Sequence, residues 1–468
     1  MEITVTIAPG PDGRLTGVAR SSEPGRQALP FSGNLELLAA LERICAAARQ
    51  DFTPRPIPVP SSPIRSIEMN DPARIYFKDA SYDGQFARTL SAAVDGSADL
   101  GEAFTAARTV RTCSGPAWWQ AWSAAAGRAD GVAAAARAAG DLVTARDAHF
   151  RASEYHRQSY YFLRSDLQDE RLRSGYAAQV SAFRSAVELL PYPASAIQIP
   201  YQETHLNGYW HTPDGSGAAR PTMVIPAGYD SSAESMFGVP DPIERGFNVL
   251  TYEGPGQGGA LYEQGLYFFP ETDAVVTPVI DWLFTRPEVD PSKVVLVGRS
   301  FGGYIAARAA AFEHRIAALV LDPAQPRMAD RIPDGLVGRI APHLVNVQMK
   351  MSANRAEFFG SRMATHGLHT IADYFAELRR YDMLPVADRI TCPTLLVDAE
   401  NDFAGGGSGL LRDAMTSAPT TLVALTAAQG ADGHCAGIGQ RVWAATVYPW
   451  LLATIGAADR HITCVSRP

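Results

Sequence analysis

The residues whose types and spacing could do chemistry centre on Ser300. It is the middle residue of a Gly-x-Ser-x-Gly pattern, with Gly298 before it and Gly302 after it. Four apolar residues, 294–297, precede the pattern, and a run of good helix formers, 304–310, follows it. A serine at a sharp turn between a buried strand and a helix exposes its hydroxyl. The pattern therefore predicts that Ser300 is a nucleophile.

A serine hydroxyl needs a base to take its proton, and that base needs a carboxylate to orient it. In this arrangement the order along the chain is serine, acid, histidine. His434 lies in a glycine-rich loop after the last predicted strand, where the backbone can position it as the base. The other candidate histidines are less suited by position: His343, His366, His369 and His461.

The acid is expected in the loop after a late strand, 393–398. Asp402 lies in that loop and is the predicted acid. Asp398 and Glu400 belong to the same segment, and Asp322 ends an earlier predicted strand. These three carboxylates remain alternatives, with strand-end polar contacts and helix caps as their other interpretation.

The tetrahedral intermediate of such a reaction needs two N–H donors for its oxyanion. One is the backbone amide of the residue after the nucleophile, Phe301. The other is expected in the loop after the first parallel strand, where Gly228 lets the backbone come close. The sequence predicts the amide of Tyr229 for this position.

Charge and cysteine content narrow the class of protein. The net charge of −8 and the absence of basic runs disfavour nucleic acid and anionic membranes as partners. No apolar run is long enough to span a membrane, and the N-terminus lacks the pattern of a secretory signal. Five scattered cysteines without metal-ligand spacing favour reduced thiols in a cytoplasm and predict no metal.

Apolar strand patterns alternate with helical patterns in the second half of the chain, which predicts a mostly parallel, doubly wound sheet. The segment 197–215 predicts a hairpin that turns at Asn207-Gly208. The strands that follow are expected at 221–228, 247–258, 293–298, 317–322, 393–398 and 420–426.

Helical patterns dominate the residues before this sheet. The sequence predicts an appendage at 1–80, a helical cap domain at 81–195 and a catalytic domain at 196–460, with a lid insertion at about 323–388. The appendage is expected to hold a strand pair, a helix at 34–50 and a proline-rich connector at 51–63. The cap aromatics Trp118, Tyr155 and Tyr160 have two interpretations, packing core or pocket lining.

Five short motifs occur in order: Gly-Tyr-Asp-Ser at 228–231, Glu-Gly-Pro-Gly-Gln-Gly at 253–258, Gly-Arg-Ser-Phe-Gly-Gly at 298–303, Cys-Pro-Thr at 392–394 and Gly-His-Cys at 433–435. Over about 115–455 the chain resembles α/β-hydrolases of the group that contains 2,6-dihydroxypseudooxynicotine hydrolase, fungal polyketide-shortening hydrolases and FrsA-type esterases. The resemblance implies an α/β-hydrolase fold with an N-terminal helical cap, a triad at Ser300, Asp402 and His434, and no cofactor.

The chain departs from the family pattern at two places in the site. Asp230 stands where the family hydrolase has a glutamate, and Ala431-Asp432-Gly433 replaces a Gly-Asp pair directly before the histidine. The first 80 residues have no counterpart in the family.

These observations predict an enzyme that hydrolyses a carbon–carbon bond beside a carbonyl, or an ester, through an acyl-enzyme. Acyl transfer or cyclisation, an esterase or thioesterase, and a non-catalytic binding protein are the alternatives. The expected partner is a small aromatic or polyketide-like molecule, and a homodimer is one assembly that the sequence allows. Six residues are predicted to contact the substrate: Gly228, Asp230, Arg299, Trp118, Tyr155 and Tyr160.

Overall fold

The computed structural model describes residues 3–9, 15–21, 29–32, 74–235, 239–332 and 335–456. Two compact units are present. Among these residues, one unit contains a small three-stranded sheet and one helix, and the other contains the remaining elements.

The strands of the smaller unit are β1 (Ile3–Pro9), β2 (Leu15–Ser21) and β3 (Leu29–Ser32), which pair in that order and antiparallel. The predicted strand pair is therefore confirmed, with a third strand that the sequence did not indicate. The helix and the connector predicted at 34–63 lie outside the described residues.

The larger unit begins with five helices that precede its sheet. They are α1 (Ala80–Ala92), α2 (Leu100–Thr109), α3 (Gly115–Ala138), α4 (Leu142–Tyr160) and α5 (Glu170–Val187). Their buried apolar side chains form a core of their own around Trp118 and Trp122. Phe183 and Val187 of α5 pack with Tyr209 of the main sheet, so these helices also contact the sheet.

The main sheet has eight strands in the spatial order β11-β10-β9-β8-β6-β7-β5-β4. They are β4 (Ala194–Tyr201), β5 (Thr204–His211), β6 (Arg220–Pro226), β7 (Asn248–Tyr252), β8 (Val289–Arg299), β9 (Ala318–Asp322), β10 (Thr394–Ala399) and β11 (Thr420–Leu425). From β11 to β7 all neighbours are parallel, and β5 pairs antiparallel with both β7 and β4. The mostly parallel sheet of the prediction is confirmed.

The helices that follow the first strands cover the sheet or extend from it. They are α6 (Pro240–Glu244), α7 (Gly258–Tyr262), α8 (Asp273–Phe284), α9 (Gly302–Ala310), α11 (Ala353–Thr365), α12 (Ile371–Leu378), α13 (Ser408–Ala414) and α14 (Gln440–Thr454), while α10 (Gly335–Met351) belongs to the smaller unit. One apolar core contains side chains of α8 and α9, and a second contains side chains of α14. With both faces covered, the central strands are buried throughout, as their continuous apolar sequences require.

The predicted hairpin is present, but its predicted turn is wrong. β4 and β5 are joined at Gln202-Glu203, and Asn207 and Gly208 lie inside β5. A Cβ atom on Gly208 would lie 2.5 Å from the Thr251 carbonyl oxygen, so this glycine permits close approach of β7. A glycine that serves strand packing looks in the sequence like a turn signal.

Candidate active site

Ser300 lies in a tight turn between β8 and α9. Ser300 has a φ of 56°, and its N–H donates to the carbonyl oxygen of Asp322 at 2.8 Å. A Cβ atom on Gly298 would lie 2.1 Å from the carbonyl oxygen of Gly302, which excludes any side chain there. The strained left-handed conformation of Ser300 is held by this close packing, and such strain is common at functional sites.

Ser300, His434 and Asp402 form a continuous chain of hydrogen bonds. The Oγ atom of Ser300 lies 2.8 Å from His434 Nε2, and His434 Nδ1 lies 2.7 Å from Asp402 Oδ1. Asp402 follows β10 and His434 follows β11, so the carboxyl ends of neighbouring parallel strands bring them together. The structure thus joins the three residues in the predicted chain order.

The Asp402 carboxylate is fixed by more than the histidine. Its side chain is 0% exposed, and it accepts hydrogen bonds from the backbone amides of Ala404, at 2.7 Å, and Cys435, at 2.9 Å. Burial favours the protonated acid, but His434 and these amides outweigh it and lower the pKa of Asp402. Burial likewise disfavours the imidazolium, but the Asp402 carboxylate outweighs it and raises the pKa of His434 well above its usual value.

The alternative acids have other partners. Asp398 accepts a hydrogen bond from the hydroxyl of Ser408 at 2.6 Å, and Glu400 accepts one from the amide of Ala427 at 2.8 Å. Asp322 pairs with Arg299. Each of these contacts is a local structural role, which leaves Asp402 as the carboxylate on the histidine.

The backbone amides of Tyr229 and Phe301 are the two that the sequence predicts as oxyanion donors. A Cβ atom on Gly228 would lie 3.5 Å from the Cβ of Ser300, so the loop after β6 lies against the nucleophile. Within the described ranges, the amides of Tyr229 and Phe301 donate to no protein acceptor. The side chain of Tyr229 is held by His366, whose Nε2 lies 2.7 Å from the phenol oxygen. Free amides on a fixed loop beside a nucleophile are what an oxyanion hole requires.

Helix α1 contacts two loops near the Ser300 hydroxyl, the one that carries Tyr229 and the one that carries His434. Arg88 donates to Asp230 Oδ1 at 3.0 Å and to the Ser231 hydroxyl at 2.9 Å, next to Tyr229. Three residues later, Ser91 donates to the carbonyl oxygen of Gly437, in the loop that carries His434, at 2.7 Å. Helix α1 therefore contacts both the loop that carries Tyr229 and the loop that carries His434.

Asp230, a predicted substrate contact, is hydrogen-bonded to side chains of the helices before the sheet. Its second carboxylate oxygen accepts a hydrogen bond from the phenol of Tyr161. Burial would raise the pKa of Asp230, but the positive charges of Arg88, Arg164 and Arg157 hold it well below its usual range. A carboxylate with these partners stays ionised and links the loop that carries Tyr229 to the helices before the sheet. The sequence predicted a substrate contact here and gave no sign of the arginines.

Arg299, also predicted to contact substrate, bridges two loops of the protein. Its Nε lies 3.3 Å from Asp322 Oδ2, and its Nη2 donates to the carbonyl oxygen of Cys435 at 2.8 Å. Its guanidinium lies over the ring of Trp443. Burial raises the pKa of Asp322 to about 6, although Arg299 opposes that shift. Arg299 thus links Asp322, at the end of β9, to the loop that carries His434.

The cap aromatics chosen from the sequence lie in packed surroundings. Trp118 and Tyr155 are 0% exposed within the cap core, where the indole donates to the Gln158 carbonyl oxygen and the Tyr155 hydroxyl donates to Glu102. Tyr160 is 4% exposed and donates to Gln179. Of the two interpretations that the sequence left open, packing core accounts for these contacts.

Phe403 is an aromatic side chain that the sequence reasoning missed. Its ring centroid lies 4.4 Å from that of His434, yet the residue is 57% exposed. Its position directly after Asp402 was the available signal. An exposed ring beside the base offers a flat apolar surface next to the nucleophile.

The predicted lid insertion contacts the oxyanion loop from its second half. His366, just after α11, bonds to Tyr229, and the Thr365 carbonyl accepts from the amide of Phe268. The ring of Tyr381 lies 5.8 Å from that of Phe301.

No helix among the described residues is long and apolar enough to cross a membrane.

Comparison with known proteins places this geometry in a family. The model of the FrsA-like esterases matches residues 107–324. Hydrolase acrC of Aspergillus aculeatus is 31% identical over 357 residues, which covers 68% of this chain and 82% of acrC. The α/β-hydrolase psoB of Aspergillus fumigatus is 30% identical over 417 residues, which covers 81% of this chain and 90% of psoB.

Among solved structures, the 2,6-dihydroxy-pseudo-oxynicotine hydrolase matches with a TM-score of 0.63 and 20% identity. The match covers 80% of this chain and 97% of that one, and it supports the fold alone. The strand order, the turn at Ser300 and the similarity to the two fungal hydrolases all indicate an α/β-hydrolase. We conclude that this chain belongs to the FrsA-like family of α/β-hydrolases.

Proposed function

We propose that this hydrolase cleaves a carbon–carbon bond beside a carbonyl, or an ester, in an aromatic or polyketide-like molecule through an acyl-enzyme on Ser300. The observation that carries the proposal is the hydrogen-bonded chain from Asp402 through His434 to Ser300, which ends beside two free amides. The exposed ring of Phe403 against His434 supports a flat substrate.

The first half of the reaction acylates the serine. His434 Nε2 takes the hydroxyl proton as Ser300 Oγ attacks the substrate carbonyl carbon, and Asp402 stabilises the imidazolium that forms. The amides of Tyr229 and Phe301 donate to the oxyanion of the tetrahedral intermediate. The intermediate then collapses, and the bond from the carbonyl carbon to the leaving group breaks.

The leaving group takes its proton from His434 Nε2. For an ester it departs as an alcohol. For a carbon–carbon bond it departs as a carbanion, whose electron pair is stabilised by a neighbouring carbonyl or aromatic ring until His434 protonates it. Water, deprotonated by the same nitrogen, then attacks the acyl-enzyme and releases the acid together with free Ser300.

The test is a panel of purified wild-type reactions with a p-nitrophenyl ester, an aryl 1,3-diketone and a thioester, each with and without an added alcohol. We expect turnover of the diketone or the ester to give a free acid. The same product should form whether or not the alcohol is added. Transfer of the acyl group to the alcohol would show an acyltransferase instead.

Ser300→Ala is the matched control for this panel. We expect a loss of roughly 10⁴-fold or more in rate while the fold is retained, since triad members act as one unit. If the variant turned over every substrate like wild type, the proposed acyl-enzyme would be wrong.

A further inference from the structure

Cys435 carries a thiol that the proposed reaction does not use. Its Sγ lies 3.7 Å from His434 Nε2 and donates to the carbonyl oxygen of Asp322 at 3.2 Å. The residue is half-buried, and its φ of 51° is part of the unusual turn that presents both side chains. Two adjacent residues thus place a sulfur and a ring nitrogen 3.7 Å apart.

The spacing of these two atoms matches that of two ligands on one metal ion. Zinc in tetrahedral sites lies about 2.3 Å from thiolate sulfur and about 2.0 Å from imidazole nitrogen, which separates the two ligands by about 3.5 Å. The observed separation is 3.7 Å. The sulfur, a ring nitrogen and an oxygen of Asp402 all lie within 4.8 Å of one another.

The hydrogen bonds around the ring leave Nε2 as the ligand atom. His434 Nδ1 faces the Asp402 carboxylate, so the ring proton belongs on Nδ1 and the lone pair on Nε2. A carboxylate that accepts from the far nitrogen of a histidine orients the ring and strengthens it as a metal ligand. Asp402 is placed for that role.

We propose that His434 Nε2 and Cys435 Sγ form a reversible inhibitory site for zinc or a similar thiophilic divalent cation, with Ser300 Oγ or water completing the coordination. Binding replaces the thiol proton, which leaves to solvent, with a sulfur–metal bond. The metal takes the same lone pair that accepts the Ser300 hydrogen bond, so metal binding and serine activation exclude one another. Binding is independent of the proposed function, whereas inhibition rests on it.

Binding is tested on the full chain with Co²⁺, whose thiolate complexes absorb in the near ultraviolet. We expect wild-type protein to show this band at one ion per chain, and Cys435→Ser and Cys435→Ala to lose it. Cys113→Ser, which removes a half-buried cap thiol, is the matched control and should keep the band. A band of equal strength in both Cys435 variants would overturn the site.

Exclusion is tested with Zn²⁺ and a fluorophosphonate that labels active-site serines. We expect zinc to prevent labelling of wild type and of Cys113→Ser, a chelator to restore it, and Cys435→Ala to be labelled at the same rate with and without zinc. Zinc protection that persists in Cys435→Ala would contradict the proposal. If wild type were never labelled, the proposed function would fail, while the cobalt band would still decide the metal site.

Discussion

Asp402 and Asp230 both lie near Ser300, and they differ in the parts of the chain that provide their hydrogen-bond partners. Asp402 is bonded to His434 and to the amides of Ala404 and Cys435, which lie in the loops after β10 and β11. Asp230 is bonded to Arg88 and Tyr161, which come from the helices before the sheet. His434 is therefore oriented mainly by loops of the sheet, although Ser91 also bonds to its loop. Asp230, next to Tyr229, is held mainly by the helices before the sheet.

The largest loss of activity should come from substitution of Asp402, the aspartate that bonds to His434. Asp402→Asn keeps the shape but cannot stabilise the His434 imidazolium, so we expect kcat to fall by roughly 10⁴-fold. The matched controls are Asp398→Asn and Glu400→Gln, whose carboxylates bond elsewhere. Steady-state kinetics of the three variants check this, and equal damage from a control would move the assignment of the acid.

Substitution of Arg88, which anchors Asp230, should lower the activity less. Arg88→Gln removes the charge that anchors Asp230 and so loosens the Tyr229 amide, and misplacement of a reacting group by about 1 Å can cost roughly 10²-fold in rate. We expect kcat to fall by up to about that factor, with partial recovery in Arg88→Lys. Arg108→Gln, an exposed cap arginine, is the control and should leave the kinetics unchanged.

The pH dependence separates the two aspartates further. His434 must be neutral to take the serine proton, and Asp402 raises its pKa. We therefore expect kcat/KM to rise with pH as His434 loses its proton, with a midpoint above that of an ordinary histidine. Asp402→Asn should shift the midpoint to lower pH and Arg88→Gln should not, in profiles measured with an uncharged fluorogenic ester. A midpoint that stays the same in Asp402→Asn would contradict the pairing.

The smallest effect concerns Glu253, which joins the cap to the oxyanion loop through the Tyr176 hydroxyl and the Ala233 amide. Burial and then the charge of Glu234 raise the pKa of Glu253 to about 8. The folded state thus holds an extra proton between about pH 4.5 and 8, and stability falls as pH rises through that interval.

Glu253→Gln should therefore flatten the dependence of Tm on pH, because the amide cannot ionise. Exposed Glu170→Gln is the control and should retain the wild-type slope. Calorimetry at several pH values measures both variants, and a slope unchanged by Glu253→Gln would refute the assignment.

The core half of the site was predictable because its signals are local. Glycines on both sides of Ser300, a late-strand loop for Asp402 and a glycine-rich loop for His434 each occur within a few residues of the group they position. Parallel strands then bring their carboxyl ends together, whatever the chain between them. The strand positions followed from apolar runs for the same reason.

The cap half was not predictable because its contacts are distant in sequence. Arg88 and Asp230 are 142 residues apart, and nothing near Arg88 distinguishes it from other helical arginines. The hairpin turn was misplaced because Asn207 serves Glu253 through its amide, at 3.2 Å, instead of a turn. The thiol of Cys435 likewise gains its meaning only beside His434 Nε2. The division into appendage, cap, catalytic domain and lid stays a prediction.

The central claim is that Ser300 becomes covalently acylated with His434 as its base. The most direct measurement is intact-mass spectrometry of the full chain after a fluorophosphonate, followed by peptide mapping. We predict one adduct per chain on Ser300 in wild type, slow labelling in Asp402→Asn, and none in Ser300→Ala. An adduct on another residue, or equal labelling of Ser300→Ala, would contradict the account.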